Sequence, residues 1–527
     1  MAVDDVTTAN VCCCVTKRQL MGLFLLSAGV VLILFLWEGH QGFDLWDEGF
    51  LWYGAQRTLL GEVPIRDFMA YDPGRYYWSA AFMALWGDNG ILALRAAAAV
   101  FQALGVFIGL VLLLRTSSKQ RWLFWGFSAI TLVVWMFPLY KSFDVVVSIA
   151  LLAALAYLVE RPSNRRYFVL GICIGLIAVF GRNHGIYAVF ASLAAIAYCE
   201  IRTRSASRIW RAITVWSVGV LLGYLPVLCM SVAIPGFASA MWESVRLLFE
   251  AKATNLPLPI PWPWTLAYEQ SLFTDIVRGW LLGVFFIVIL LFGVLAVAYV
   301  IRQKIKQRAV SPVLVAAAFL GLPYAHYTYS RADTLHLAMG IIPFLMGSLA
   351  LVANQRAMIK WPLLWLLCGA SLMIMAPLHP GWVCYTSRLC IDADVAGSKL
   401  KTHPNVPVEL GMLKKITDTY AANNNSFLVT PFWPGAYAVM GQKSPIWENY
   451  ALIPRAASFQ LAEIQRLKIV NLGFALIIDV ALDGREELRF SNTHPLINRY
   501  IQDNYQLLPG VTPDPAYQLY VKKQDSR

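Results

Sequence analysis

The chain has 527 residues, 58% of them hydrophobic and only 14% charged, with a mean hydropathy of +0.57. A soluble domain carries roughly a quarter charged residues, so this composition excludes an ordinary soluble protein. A net charge of +12 and a pI near 9.2 do not mark a nucleic-acid binder. The Lys and Arg residues punctuate apolar runs, as in cytoplasmic loops of membrane proteins, and no basic stretch interleaved with aromatics occurs in the polar part.

Cys12, Cys13 and Cys14 come first and read as unmodified thiols in preference to acylation sites. Lys17-Arg18 then precede an apolar stretch from Leu20 to Trp37, long enough to span a bilayer. No small-residue cleavage site follows, so residues 19–37 read as a retained first helix and not as a signal peptide. A polar loop covers 38–75. Arg75-Tyr-Tyr-Trp opens a helix to Trp86 that is too short to cross and reads as interfacial. Further spans are expected at 90–114, 122–139, 143–159, 167–180, 186–200 and 212–234. A long loop, 235–278, contains Pro257-Leu-Pro-Ile-Pro-Trp-Pro-Trp264, a stiff aromatic lip suited to the membrane interface or to a lipid-tail groove. Spans at 279–301, 312–329, 337–353 and 361–377 complete about eleven.

Every second loop is short and basic: Arg115, Lys119 and Arg121; Arg161 to Arg166; Arg202, Arg204, Arg208 and Arg211; Arg302, Lys304, Lys306 and Arg308; Arg356 and Lys360. These loops share a side with Lys17-Arg18, and the positive-inside rule makes that side cytoplasmic. An odd number of spans then places 378–527 outside. The tail is soluble in composition. Strand-like runs at 427–430, 474–479 and 517–521 alternate with helical patterns such as Ala457 to Lys468, which predicts a small α/β domain. The predicted organisation is therefore an all-α polytopic bundle over 1–377, with 38–75 as its large first outward loop, and an extracytoplasmic α/β domain over 378–527. Cys384 and Cys390 lie close enough in the tail to form a disulfide if it is extracytoplasmic, and no C-x-x-C pair suggests zinc or thioredoxin chemistry.

The outward loops hold nearly all the chemically active side chains. Loop 38–75 contains Asp44, Asp47, Glu48, Glu62, Arg66, Asp67, Tyr71, Asp72 and Arg75; other outward turns contain Lys141 and Asp144, Arg182-Asn183-His184, and Arg331-Ala-Asp333-Thr-Leu-His336. Acids, cations and imidazoles on one face of a bundle predict a shared cavity. Asp47, just past the first span, can take a proton from an acceptor hydroxyl. It can equally cap the helical pattern from Phe50 to Leu60. Arg331 with His336, and Arg182 with His184 between two glycines, are suited to holding a phosphate. Arg331 and Asp333 can instead pair to cap the following helix.

The run Asp47-Glu48-Gly-Phe-Leu-Trp-Tyr-Gly-Ala-Gln, with Val63-Pro-Ile-Arg66-Asp-Phe and Tyr71-Asp72-Pro-Gly, resembles the GT-C class of membrane glycosyltransferases. Within it, the match is to bacterial members related to aminoarabinose lipid A transferases and protein O-mannosyltransferases. The resemblance covers the architecture of the whole chain, with its specific motif in residues 46–78. It implies an inner-membrane enzyme, N-terminus cytoplasmic, that uses a polyprenyl-phosphate-linked sugar and an extracytoplasmic acceptor, either protein or glycolipid. It implies Asp47 as the catalytic carboxylate, with Glu48 in support. Aminoarabinose transferases carry Lys-Pro near the end of this loop, whereas this chain has Asp72-Pro73. The donor phosphate and sugar are then held by residues among Arg66, Asp72, Arg75, Lys141, Arg182, His184, Arg331, Asp333 and His336. The tail and the Arg-Ala-Asp-Thr-Leu-His run also resemble arabinofuranosyltransferases that modify type IV pilins. Metal use stays open, because one branch of the class uses a divalent cation and the acids of loop 38–75 permit either case.

Two other functions compete. A transporter or lipid-linked glycan flippase would place ionisable residues in mid-span, whereas here they sit at span ends. A non-catalytic scaffold presenting the tail would not depend on Asp47.

Overall fold

Thr16 begins the first helix with a reciprocal cap: its side chain accepts from the Gln19 N–H while the Gln19 side chain accepts from the Thr16 N–H. The helix, α1 (Lys17–Glu38), leaves Leu25, Ile33 and Leu36 60–69% exposed, a face suited only to lipid. The computed structural model describes residues 16–117, 120–201, 206–251, 255–266, 272–422, 425–512 and 514–523. Cys12, Cys13, Cys14, Lys119, Arg202 and Arg204 lie outside the described residues, together with the readings placed on them.

Two short helices, α2 (Asp47–Leu59) and α3 (Pro73–Trp86), follow α1 above the bundle. The bundle continues with α4 (Ile91–Thr116), α5 (Trp122–Val134), α6 (Ser142–Glu160), α7 (Asn164–Phe180) and α8 (Arg182–Glu200). The next expected span is broken into α9 (Ala206–Gly223) and α10 (Leu225–Ala233), bent by 54° where Pro226 removes a backbone donor. Loop 235–278 is not merely a loop, since it contains α11 (Phe237–Ala251), whose exposed Glu243–Arg246–Glu250 ladder masks its apolar period. Then come α12 (Phe273–Ile305) and α13 (Pro312–Ser330). A second broken pair, α14 (Thr334–Gly340) and α15 (Ile342–Ala353), bends by 57° beside Pro343, and α16 (Ala357–Met375) ends the bundle.

Each expected span thus falls on a helix or a bent pair. Among the described residues five helices are long and apolar enough to cross a membrane, or seven if each bent pair is one span. The remaining expected spans coincide with α5, α7, α8 and α13, which are shorter or less apolar. The chain is a membrane-embedded helical protein. Its tightest helix contact joins α7 and α9, where Gly171 and Gly175 face Gly219 and Gly223. A Cβ on Gly175 would lie 2.3 Å from the Val220 carbonyl oxygen.

After the bundle come α17 (Pro380–Ser387), the hairpin β1 (Ile391–Val395) and β2 (Ser398–Thr402), and α18 (Asn405–Tyr420). A four-stranded sheet follows, built from β3 (Ser426–Thr430), β4 (Leu472–Ile478), β5 (Tyr505–Leu508) and β6 (Tyr517–Lys522) in the order β3-β4-β6-β5. Strands β3 and β4 are parallel, so their connection must cross over; it carries α19 (Gly435–Met440) and α20 (Ala457–Ile469). The helices α21 (Phe490–Thr493) and α22 (Pro495–Asn504) lie between β4 and β5. The strand-like runs in the sequence fall on β3, β4 and β6. Cys384 and Cys390 are joined by a disulfide.

The change in composition at residue 377 is not a boundary in packing. Leu45, Phe50, Trp52 and Tyr76 from the first loop region share one core with Phe427, Val429, Phe474 and Leu476 of the sheet. The opposite face of the sheet buries Leu428, Ala475 and Ile477 under Ile464, Ile497 and Ile501. Gly49 is required at this junction: a Cβ there would come within 2.6 Å of the Gly435 Cα. Met69 N–H donates to the Trp447 carbonyl at 2.8 Å, and the Trp447 indole donates to the Ile65 carbonyl at 2.8 Å.

Candidate active site

The turn before α2 brings Asp44 beneath the helix start. Its carboxylate accepts from the backbone N–H groups of Trp46 at 2.8 Å and Asp47 at 3.1 Å. The capping role that the sequence allowed Asp47 therefore belongs to Asp44, three residues earlier. Asp47 is the first residue of α2 and its carboxylate is released from that task. Burial pushes the Asp44 carboxyl up to about 7, with repulsion from Asp47 and Glu48 adding to it against the backbone donors.

The Asp47 side chain opens into a cavity of about 460 Å³ at one end of the bundle helices, roofed by the C-terminal part. The Tyr140 hydroxyl donates to Asp47 Oδ2 at 3.3 Å. Tyr140 belongs to a single 3₁₀ turn, Leu139–Lys141, which also delivers Lys141 to the cavity. Lys141 Nζ donates to the Tyr71 hydroxyl at 2.6 Å and sits 4.2 Å from the centre of its ring. Among the described residues, Lys141 is the cavity cation with no carboxylate within ion-pair distance.

The other sequence-predicted cations already have acidic partners. Arg75 pairs with Asp144 at 3.0 Å, and Asp144 also bonds His184 Nε2 at 2.9 Å, while His184 Nδ1 meets the Tyr324 hydroxyl at 2.7 Å. Arg182 pairs with Asp72 at 2.8 Å and donates to Ser244 on α11 at 2.8 Å. Arg331 contacts Asp333 at 2.9 Å and, from the C-terminal part, Asp483 at 3.0 Å. Asp333 caps α14 by accepting from the His336 N–H at 2.8 Å. Burial alone would raise the Asp333 carboxyl, but bonding to His336 and the Arg331 charge hold it below the usual carboxylate range. His336 Nε2 faces Asn255 at 2.6 Å.

Asp47, Asp72, Arg75, Lys141, His184, Arg331, Asp333 and His336 thus line one cavity. Three predicted residues are elsewhere, and one of them, Arg182, borders an apolar groove instead of the cavity. Arg66 pairs with its neighbour Asp67 at 2.7 Å outside the cavity lining. Glu48 points away from Asp47's cavity into a bidentate pair with Arg95, at 2.7 and 2.8 Å, and Arg95 also binds the carbonyls of Gly39 and Gly42. Glu48 fixes the loop between α1 and α2. Among the described residues, no group of three or more His, Cys, Asp or Glu side chains is placed to hold a metal ion.

An apolar groove of about 1270 Å³ runs between α7, α8, α9, α11 and α13. Ile174, Val189, Phe190, Leu221 and Phe249 line it, and Arg182 lies beside its polar end. Groove and cavity meet at Asn183 and Asn255, which line both. Pro257 belongs to the groove wall, and Trp262 and Trp264 stack on each other at 5.3 Å nearby.

Sequence reasoning missed Tyr140, Glu448, Tyr450, Arg455 and Leu482, all on the cavity wall. Tyr140 was detectable as the neighbour of Lys141. The other four belong to the tail, and their only sequence signal is the polar-aromatic run Trp447-Glu-Asn-Tyr450, which does not reveal that the tail folds over the bundle.

No family model matches the sequence, and no curated protein matches it either. Among solved structures, the chain is similar to ArnT from Cupriavidus metallidurans bound to undecaprenyl phosphate, with a TM-score of 0.53 and 13% identity over 97% of this chain and 99% of that one. The apo state of the same protein gives 0.49 at 12% identity, over 95% and 98% of the two chains. The apo oligosaccharyltransferase of Archaeoglobus fulgidus gives 0.46 at 11%, over 97% of this chain and 75% of that one. The fold assignment rests on the first of these. At such identity the likeness is one of architecture alone: this chain shares the fold of ArnT over nearly its whole length.

Proposed function

We propose that the chain is an integral membrane glycosyltransferase that moves a sugar from a polyprenyl-phosphate donor to an acceptor outside the cell membrane, with Asp47 as the general base. The observation that carries this reading is one arrangement: the uncapped Asp47 carboxylate and Lys141 share a cavity that meets an apolar, membrane-level groove at Asn183 and Asn255. The polyprenyl tail lies in the groove and the sugar phosphate in the cavity. The acceptor hydroxyl attacks the anomeric carbon and gives its proton to Asp47 as the bond from that carbon to the phosphate oxygen breaks. Lys141 meets the charge that develops on the departing phosphate. Undecaprenyl phosphate bound in the ArnT structure of the same fold supports a lipid of this class as donor. The acceptor is a protein such as a pilin, or a surface lipid or glycan, and arabinofuranose transfer to a pilin is the narrowest form of the proposal.

The topology belongs to the same proposal: eleven spans in the inner membrane, the N-terminus cytoplasmic and residues 378–527 periplasmic. The alternation of basic loops supports it, and so does the Cys384–Cys390 disulfide, which suits an oxidising compartment. A phosphatase reporter fused after Tyr520 should be active, and an active cytoplasmic reporter there would reverse the tail.

The decisive experiment is Asp47→Asn in purified protein supplied with a polyprenyl-phosphate sugar. Transfer should fall by roughly 10²-fold or more, the range of a lost general base. Because Asp44 provides the cap, thermal stability should be unchanged. Full activity in Asp47→Asn removes Asp47 as base and with it the main support for this reading.

A further inference from the structure

The C-terminal part brings a charged pair of its own to the cavity wall, Glu448 and Arg455. Their side chains are 2% and 5% exposed, and Glu448 Oε1 accepts from Arg455 Nε. Glu448 Oε2 bonds His494 Nε2 at 2.9 Å, and His494 Nδ1 meets the Thr493 hydroxyl at 2.9 Å. The guanidinium also lies over Phe459, its central carbon 4.5 Å from the centre of the ring. The Arg455 backbone is tied on both sides: its N–H donates to the Thr493 carbonyl at 3.4 Å, and its carbonyl accepts from the Gln460 amide at 2.8 Å.

All of this holds one edge of the side chain and leaves the other unused. A guanidinium carries five N–H donors in a rigid plane. One of them goes to Glu448, and among the described residues neither Nη1 nor Nη2 of Arg455 has a hydrogen-bond partner. The other two arginines of the cavity differ. Arg75 uses both terminal nitrogens on Asp144 and the Phe180 carbonyl, and Arg331 uses both on Asp483. Buried donors are costly when they make no bond. A planar pair of them, fixed in place on a cavity wall, is a preformed fork for two oxygen atoms.

Charge decides which oxygens. Arg455 is already neutralised by Glu448, whereas Lys141 is bonded to a tyrosine. Arg331 is likewise matched by Asp333 and Asp483, so a further anion at Arg455 would leave this wall with uncompensated negative charge. The hydroxyl and ring oxygens of a sugar accept the free N–H groups without adding charge.

We infer that Arg455 is a specificity-determining residue whose terminal nitrogens bind oxygens of the transferred sugar, with Glu448 and His494 positioning it. The proposal rests on the glycosyl-transfer reading, and it assigns the sugar subsite of that reaction to the C-terminal part.

The test is equilibrium binding to the purified full chain in detergent. The probes are bare undecaprenyl phosphate and undecaprenyl phosphate carrying arabinofuranose, aminoarabinose or mannose. Arg455→Ala would strand the buried Glu448, so the variant is Arg455→Lys, which keeps the charge and loses the fork. It should melt as wild type does. Its affinity for the sugar lipid that wild type binds best should fall about 10- to 100-fold, the value of bonds from a charged donor, with affinity for the bare phosphate unchanged. If Arg455→Lys is not recovered folded, Glu448→Gln combined with Arg455→Met removes both charges together and must show the same selective loss. An equal loss for the bare phosphate would place the phosphate at Arg455 and overturn the sugar subsite. Unchanged binding of the sugar lipid overturns it too, and leaves the transferase reading standing. Wild type that binds none of the four lipids removes the transferase reading and the subsite with it.

Discussion

Arg331 of the bundle grips Asp483 of the C-terminal part with both terminal nitrogens, Nη1 to Oδ2 at 3.0 Å and Nη2 to Oδ1 at 3.1 Å. Asp483 adopts a left-handed backbone, φ 55°, followed by Gly484 at φ 71°, so a tight turn presents this carboxylate. Asp is one of the few side chains that tolerate the conformation. The arrangement has the form of an Arg–carboxylate fork, and a phosphate would use the same donors.

A donor phosphate reaching Arg331 must therefore compete with Asp483. Asp483→Asn should lower the donor KM several-fold, on the order of a rim ion pair worth up to about 1 kcal/mol. Arg331→Ala should leave donor KM little changed if Lys141 makes the main contact. A rise in donor KM in Asp483→Asn would mean that the pair holds the cavity closed around the donor and does not compete with it.

Much of this was legible in the sequence. Apolar runs fixed the helices because a bilayer demands length and continuity, and most of the acids, cations and imidazoles of the loops expected to face outward gathered into one cavity. The partners of the charges were not legible. Asp47 looked like a cap because caps are read from the nearest acid, whereas the turn at Gly42, φ 67°, lets Asp44 reach the helix start. Arg331, Arg182 and Arg75 looked like free phosphate ligands because pairing with Asp483, Asp72 and Asp144 spans 152, 110 and 69 residues of sequence. The amphipathic helix α11 was hidden because the exposed charges Glu243, Arg246 and Glu250 interrupt its apolar run.

Packing of α7 on α9 gives a stability prediction that is independent of function. A Cβ on Gly171 would lie 2.2 Å from the Trp216 carbonyl oxygen, and one on Gly223 would lie 2.2 Å from that of Ile172. Backbone, not a flexible side chain, is in the way, so the helices must separate. Gly175→Leu should reduce folded protein recovered in mild detergent by several-fold, as expected when overpacking costs about 1–3 kcal/mol or more. Gly369→Leu, where nothing lies within 4 Å, is the control that should be recovered normally. Equal recovery of the two variants would refute a glycine-dependent contact.

The raised Asp44 carboxyl has a definite consequence for pH. Its folded-state value is about 7, against 3.8 as the ordinary value, so the folded chain binds this proton more tightly than the unfolded chain. The associated stability is fully present below the ordinary value and is lost as pH rises through about 7. Glu409, also pushed up to about 7 by burial and by the nearby Asp44, acts in the same direction. Asn keeps a cap oxygen without the charge. Asp44→Asn should therefore melt above wild type at pH 8, and the difference should shrink as pH falls below about 7 and vanish only near the ordinary value of 3.8. A variant less stable than wild type at pH 8 would show that the charge on the cap outweighs its burial.

Lys141 and Arg182 test where the phosphate is met. Arg182 borders the groove and is committed to Asp72 through its side chain and its backbone N–H, each at 2.8 Å. Lys141 faces the cavity with Asp47 and is bonded to a neutral tyrosine. A cation without a carboxylate partner can turn to a phosphate without leaving a buried charge unpaired, whereas Arg182 cannot. Lys141→Gln should lower kcat/KM for the donor about 10- to 100-fold, the value of a charge-assisted bond, with folding preserved. Arg182→Gln should instead lower the thermal midpoint, because it strands Asp72, and its loss of activity should follow the loss of folded protein. The opposite pattern, with donor use intact in Lys141→Gln and abolished in a well-folded Arg182→Gln, would place the phosphate at the mouth of the groove and leave Lys141 to orient Tyr71.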